Sequence, residues 1–130
     1  MEVMRTIDIG NRIGGILRIN RKSDFPLGIR LAEGGFSDYD FTLRATSGSG
    51  FTVFKAERRN GICTHCKVFD GQLVVFFDNH NLGKGRVKIE VFIDFPDDNF
   101  SDGYRRECFT AMSNIELVDD NGDALKLAMP

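Results

Sequence analysis

Apolar side chains return at every second position along most of this chain. The longest run is Val87 to Phe95, where Val87, Ile89, Val91, Ile93 and Phe95 alternate with Lys88, Glu90, Phe92 and Asp94. A period of two belongs to an extended chain with one face buried. Phe25, Leu27, Ile29 and Leu31 repeat the pattern, with Pro26 near the start, where a missing ladder donor is tolerated. Phe41, Leu43 and Ala45 alternate with Thr42 and Arg44, and Leu17 and Ile19 with Arg18 and Asn20.

Turn signals separate these runs. Asn60-Gly61, Asp70-Gly71 and Asn121-Gly122 suit positive φ, Ser47 to Gly50 reads as a hairpin loop, and Gly34-Gly35 breaks one strand from the next. Asn79 to Gly85 and Asp97 to Gly103 form longer connections. Strands are expected near 16–22, 25–33, 38–46, 51–58, 62–69, 72–77, 86–95, 104–110, 113–119 and 124–128. No window carries an amphipathic helix. Short strands at this spacing predict an all-β fold, a two-sheet sandwich or a barrel. Residues 1–15 are expected as an N-terminal arm or edge strand, and 16–130 as one domain.

Composition narrows the function more than the fold. The chain has 130 residues with 17 Lys and Arg against 19 Asp and Glu, and 42% hydrophobic content. These values exclude general disorder and suffice for a single core. A net charge of −2 argues against a dedicated nucleic-acid binder, which needs a basic excess to displace counterions. Arg58-Arg59 and Arg105-Arg106 are the only adjacent arginine pairs and read as solvated. The longest apolar run, Leu73 to Phe77, is strand length and does not span a bilayer. The N-terminus carries no secretory pattern, and three Cys predict reduced thiols in a cytosolic setting.

Cys63-Thr64-His65-Cys66 is the most chemically suggestive motif. It could be half a zinc site or a redox pair. Against zinc, only His65, His80 and Cys108 remain as further soft ligands. In a strand, residues 63 and 66 point to opposite faces unless a turn intervenes. No helix follows to lower a thiol pKa. The cysteines therefore read as small buried or half-buried hydrophobes, and His80, in Asp78-Asn79-His80-Asn81, as a solvated loop side chain.

Asp94, Asp97, Asp98 and Asp102, and separately Asp119-Asp120-Asn121-Gly122-Asp123, lack the ligand spacing of a calcium loop and read as turn formers. Leu82-Gly83-Lys84-Gly85 is not a phosphate loop. The 12 Phe predict core, which leaves Tyr39 and Tyr104 as candidates for a sugar-binding platform. Neither a catalytic set nor a cofactor or metal site is expected.

One stretch carries a family likeness. Asp70-Gly71 precedes Leu73-Val74-Val75-Phe76-Phe77; then come Asn81-Leu82-Gly83-Lys84-Gly85, the long strand 86–95, Asp98-Asn99-Phe100-Ser101-Asp102-Gly103 and Asn114-Ile115-Glu116-Leu117. Upstream, Asn20 to Phe25 and Asp40-Phe41-Thr42-Leu43-Arg44 fit the same plan. Over residues 16–118 the chain resembles small immunoglobulin-like domains of phages and prophages of gut Bacteroidales. It is similar in plan to the N-terminal domain of phage baseplate upper proteins. Glu33-Gly34-Gly35-Phe36 stands where that family has Asp-Leu-Thr-Gly.

The resemblance implies an immunoglobulin-like antiparallel β-sandwich and a non-enzymatic virion structural role in a tail, baseplate or fibre attachment, in which edge strands and an N-terminal arm would add to neighbouring chains. It implies other virion proteins and further copies of the chain as partners, with neither nucleic acid nor membrane, in the virion and in the host cytoplasm before assembly. The alternative is a carbohydrate- or cell-surface-binding module.

Overall fold

The computed structural model of the chain describes residues 7–10, 15–31, 36, 39–48 and 50–122. Among the described residues, ten strands form two sheets. They are β1 (Ile7–Gly10), β2 (Leu17–Asn20), β3 (Phe25–Leu31), β4 (Asp40–Ser47), β5 (Phe54–Arg59), β6 (Ile62–Thr64), β7 (Cys66–Phe69), β8 (Gln72–Phe77), β9 (Gly85–Pro96) and β10 (Tyr104–Val118). One sheet has the order β1-β3-β8-β7, the other β2-β10-β9-β4-β5-β6. All pairings are antiparallel except β2 with β10, which is parallel.

The alternation read from the sequence sets the core. Phe25, Leu27 and Ile29 from β3 and Leu73, Val75 and Phe77 from β8 point inward from the smaller sheet. Val87, Ile89, Val91, Ile93 and Phe95 of β9 and Phe41, Leu43 and Ala45 of β4 meet them from the larger one. Each such side chain larger than Ala45 contributes about 1.5–3 kcal/mol through burial. Asn60-Gly61 and Asp70-Gly71 are two-residue hairpin loops with positive φ at all four residues, as their dipeptides predict. Buried Ser47 donates to the Gly83 carbonyl at 2.6 Å, and the hydroxyl of buried Ser113 accepts from the Ile115 N–H at 3.1 Å.

The expected strands need three corrections. The strand expected at 62–69 breaks at His65, whose φ of 59° turns the chain out of the larger sheet and into the smaller. Glu57–Thr64 is the last pairing of one sheet and Cys66–Val75 the first of the other. The strand expected from 51 begins at Phe54, leaving Phe51 fully exposed. Residues 7–10, within the stretch expected as an arm or edge strand, pair with β3 at the sheet edge. The strand expected at 124–128 falls outside the described residues.

The strands expected at 104–110 and 113–119 are a single strand, β10, with an irregularity between Met112 and Glu116. Met112 faces Lys88 and Glu116 faces Arg86, so β10 carries two extra residues there. Two extra residues preserve side-chain parity, and Ile115 and Leu117 stay in the core. The Arg86 guanidinium closes the bulge by donating twice to the Ser113 carbonyl, with Nε at 2.9 Å. Arg86→Leu is expected to lower the unfolding free energy by about 1–3 kcal/mol, since it leaves that carbonyl unpaired. Urea denaturation measures it; a change within experimental error would mean the bulge holds without Arg86.

Candidate functional site

The outer face of the larger sheet is polar and grooved. Thr42 and Arg44 of β4, Lys55 and Arg59 of β5, Phe92 and Asp94 of β9, Arg106 of β10 and Val53 enclose about 580 Å³. Half-buried Phe92 forms the floor, paired across strands with Thr42 on one side and Cys108 on the other. Asp94, 13% exposed, accepts from Arg59 at 3.0 Å and from Arg106 at 3.1 Å, one carboxylate oxygen to each. Arg59 also reaches the Thr42 hydroxyl. Arg106 continues to Asp102 at 2.9 Å. The Tyr104 backbone N–H and the Arg106 guanidinium hold the Asp102 carboxyl below its usual range. Arg44 has no ion pair among the described residues. The groove thus sets cations around an aromatic floor.

The smaller sheet presents a different surface. Pro26 of β3, Val74 and Phe76 of β8 and Phe69 of β7 face outward, with Phe76 47% and Phe69 63% exposed. Lys67 is also on this side, its Nζ 5.9 Å above the Phe69 ring. An apolar outer face is unusual for an antiparallel sheet in water, which normally alternates apolar inward and polar outward. Phenylalanine is thus not only core material. Six of the 12 are buried, Phe92 and Phe109 are half-buried, and Phe51, Phe69, Phe76 and Phe100 are exposed.

His80 is buried, not solvated. Its Nδ1 accepts from the Leu82 N–H at 3.1 Å, which puts the proton on Nε2, 3.0 Å from the Ser23 carbonyl. Both ring nitrogens are occupied in tying the 79–85 connection to the β2–β3 turn, and the ring edge packs on Phe25. His65 is exposed on the crossover, 3.4 Å from the Asp78 carboxylate and edge-on to Phe54.

The crossover brings together what a straight strand would separate. The left-handed residue at 65 supplies the intervening turn, and Cys63, paired with Arg58, and Cys66, paired with Val75, line one surface depression. Both are half-buried, and Cys66 donates to the Glu57 carbonyl at 3.4 Å. Burial first, and then the neighbouring Cys63, push the Cys66 thiol up from 9.0 to about 12. The folded reduced protein therefore holds this proton more tightly than the unfolded chain. The stability this contributes is intact below the unfolded value near 9.0 and is lost as pH rises toward 12. Urea midpoints between pH 8 and 10.5 (about those limits) should fall more steeply for the parent than for Cys66→Ser. Parallel slopes would refute the assignment. Cys108 is exposed on β10 and remote from this pair, its thiol raised by burial and by Glu90.

The aspartates act as turn and ion-pair residues. The carboxylates of Asp97, Asp102 and Asp120 each accept a backbone N–H two residues on, from Asn99, Tyr104 and Gly122. Asp97 also pairs with Arg105, and Asp119 with Arg21 and Lys84. Asp123 lies outside the described residues. No group of three potential metal ligands converges among the described residues. Arg58 donates to the Phe36 carbonyl at 3.0 Å, so neither adjacent arginine pair is merely solvated. Tyr39 packs edge-on to Phe95, while Tyr104 is exposed. No protein-family model matches the chain, and a search of curated proteins returns no match.

Proposed function

We propose that this chain is a non-enzymatic structural protein of a phage or prophage virion, a tail, baseplate or fibre-attachment component. In this reading it has an immunoglobulin-like fold and works by assembling with further copies of itself and with other virion proteins. The strand order supports the fold. With β1 as A, β3 as B, β8 as E and β7 as D, the smaller sheet reads A-B-E-D. The run β10-β9-β4-β5-β6 then reads G-F-C-C′-C″, the variable-type arrangement. Neither β3 nor β9 contains a cysteine, so the inter-sheet disulfide of antibody domains has no counterpart between them.

The observation that carries the assembly reading is the apolar outer face of Pro26, Phe69, Val74 and Phe76. Edge-strand addition, the other route, has little to offer here. β1, β2 and β7 are four residues long and β6 three, too short for an extended ladder. A second copy is the favoured occupant of the face, because the cations at hand, Arg30 and Lys67, are long enough to keep their charges at the rim of a self-contact.

The double variant Phe69→Ser/Phe76→Ser should shift the protein from oligomer to monomer in light scattering while keeping the parent's far-ultraviolet circular dichroism. A parent that stays monomeric when concentrated, alone and with the products of flanking genes, would overturn the proposal. A second reading rests on the groove over Phe92, where an aromatic floor and the cation of Arg44 suit a carbohydrate with acidic groups. Binding on a glycan array that Phe92→Ala abolishes would support it; a blank array would remove it.

A further inference from the structure

We propose that Cys63 and Cys66 are a modification site. The two thiols close into an intramolecular disulfide by exchange with a small-molecule disulfide of the glutathione class. The proposal goes beyond the assembly reading and does not depend on it.

Three observations converge on it. The positive φ of His65 turns the chain so that Cys63 and Cys66, which a straight strand would set on opposite faces, line the same depression, while the His65 ring is occupied with Phe54 and Asp78. The pair is accessible, since both cysteines line a surface depression of about 370 Å³ with Arg58, Gly61, Lys67 and Val68. That depression has a basic rim, Arg58 and Lys67, complementary to the carboxylates of glutathione. A bridge here would join β6 of one sheet to β7 of the other across the single residue that separates them.

The chemistry has a defined order. Cys66 is held protonated by its burial, so Cys63 is the attacking thiol. Its thiolate forms a bond to one sulfur of oxidised glutathione, whose S–S bond breaks and releases the first glutathione thiolate. Cys66 then loses its proton and attacks the Cys63 sulfur, the mixed disulfide breaks, and the second glutathione leaves. The two protein thiols are oxidised, one oxidised glutathione is reduced to two thiols, and the two protons end on those thiols. A bridge closing so short a loop gains little from restricting the unfolded chain, so it should reduce readily.

The test is incubation of the purified full chain with oxidised glutathione, acid quench, denaturation, alkylation, and mass mapping of the cysteine peptides. The expected result is loss of two of the three alkylatable thiols, a Cys63–Cys66 link, an alkylated Cys108 and full reversal by reduced glutathione. Cys66→Ser should stop at a lasting glutathione adduct on Cys63, and Cys108→Ser should behave as the parent. Equal alkylation of all three cysteines, a glutathione adduct that persists in the parent, or links through Cys108 would each overturn the proposal. Mapping of the parent decides the matter even if a cysteine variant fails to fold.

Discussion

Phe77→Ala is expected to destabilise the protein by about 3–5 kcal/mol, while Phe76→Ala, one residue earlier on the same strand, should change stability by about 0.5 kcal/mol or less. Phe77 is 1% exposed and stacks on two rings from opposite sheets. Phe25 of β3 lies at 4.6 Å with the planes 8° apart, and Phe54 of β5 at 4.7 Å and 29°. Truncation removes one ring's transfer energy and leaves a cavity that neither sheet can close alone, because each neighbour is fixed in its own ladder. A loss of that size is a large fraction of the 5–15 kcal/mol (about the usual range) that holds a domain together. Equilibrium urea denaturation with unchanged m-values measures both variants. A difference of under about 1 kcal/mol between them would mean the two faces of β8 are not distinct in the way described.

That pair of residues also marks how far the sequence could be read. Alternation reveals a buried face only when the opposite face is polar. It is polar along β9, where Lys88, Glu90 and Asp94 point outward, and the strand is legible there almost to the residue. In Leu73-Val74-Val75-Phe76-Phe77 both faces are apolar, so the run announces a strand and hides which side is outside. The exposed face of the smaller sheet was hidden for that reason.

The His65 crossover was hidden for another. Positive φ is common at Asn and Asp before Gly, and those turns were foreseen; at His65 no glycine or proline flags it. The β10 bulge preserves parity and so leaves the hydrophobic pattern undisturbed, which is why a strand break was expected instead. His80 lies in a polar stretch, and its burial depends on contacts with Ser23 and Phe25, more than fifty residues away. The groove residues were visible as outward positions of separate strands; bringing Arg59, Asp94 and Arg106 to one point requires the strand order.

The other large effect is expected at Gly85, and a series of three glycines separates its causes. Gly85 has a φ of 126°, and a Cβ there would come within 2.8 Å of the Gly48 backbone N and Cα. Gly48 in turn is pressed against Lys84, whose carbonyl oxygen would be 2.4 Å from a Cβ at 48. The start of β9 and the end of β4 thus meet backbone to backbone, with the Ser47 hydroxyl bonded to Gly83 beside them. Gly61 has a φ of 80° with nothing within 4 Å of an added Cβ, and Gly83 has open space without the positive φ. Gly83→Ala should therefore be neutral or stabilising by about 0.4–1 kcal/mol, through the unfolded chain. Gly61→Ala should lose about 1–3 kcal/mol from its φ alone. Gly85→Ala adds a clash with main chain that cannot rotate away, and should lose about 1–3 kcal/mol beyond Gly61→Ala. Thermal and urea unfolding of the three variants give the ranking. Equal losses at 85 and 61 would mean that β4 and β9 can part at this corner without cost, and the close approach would then contribute nothing to holding the groove-bearing sheet together.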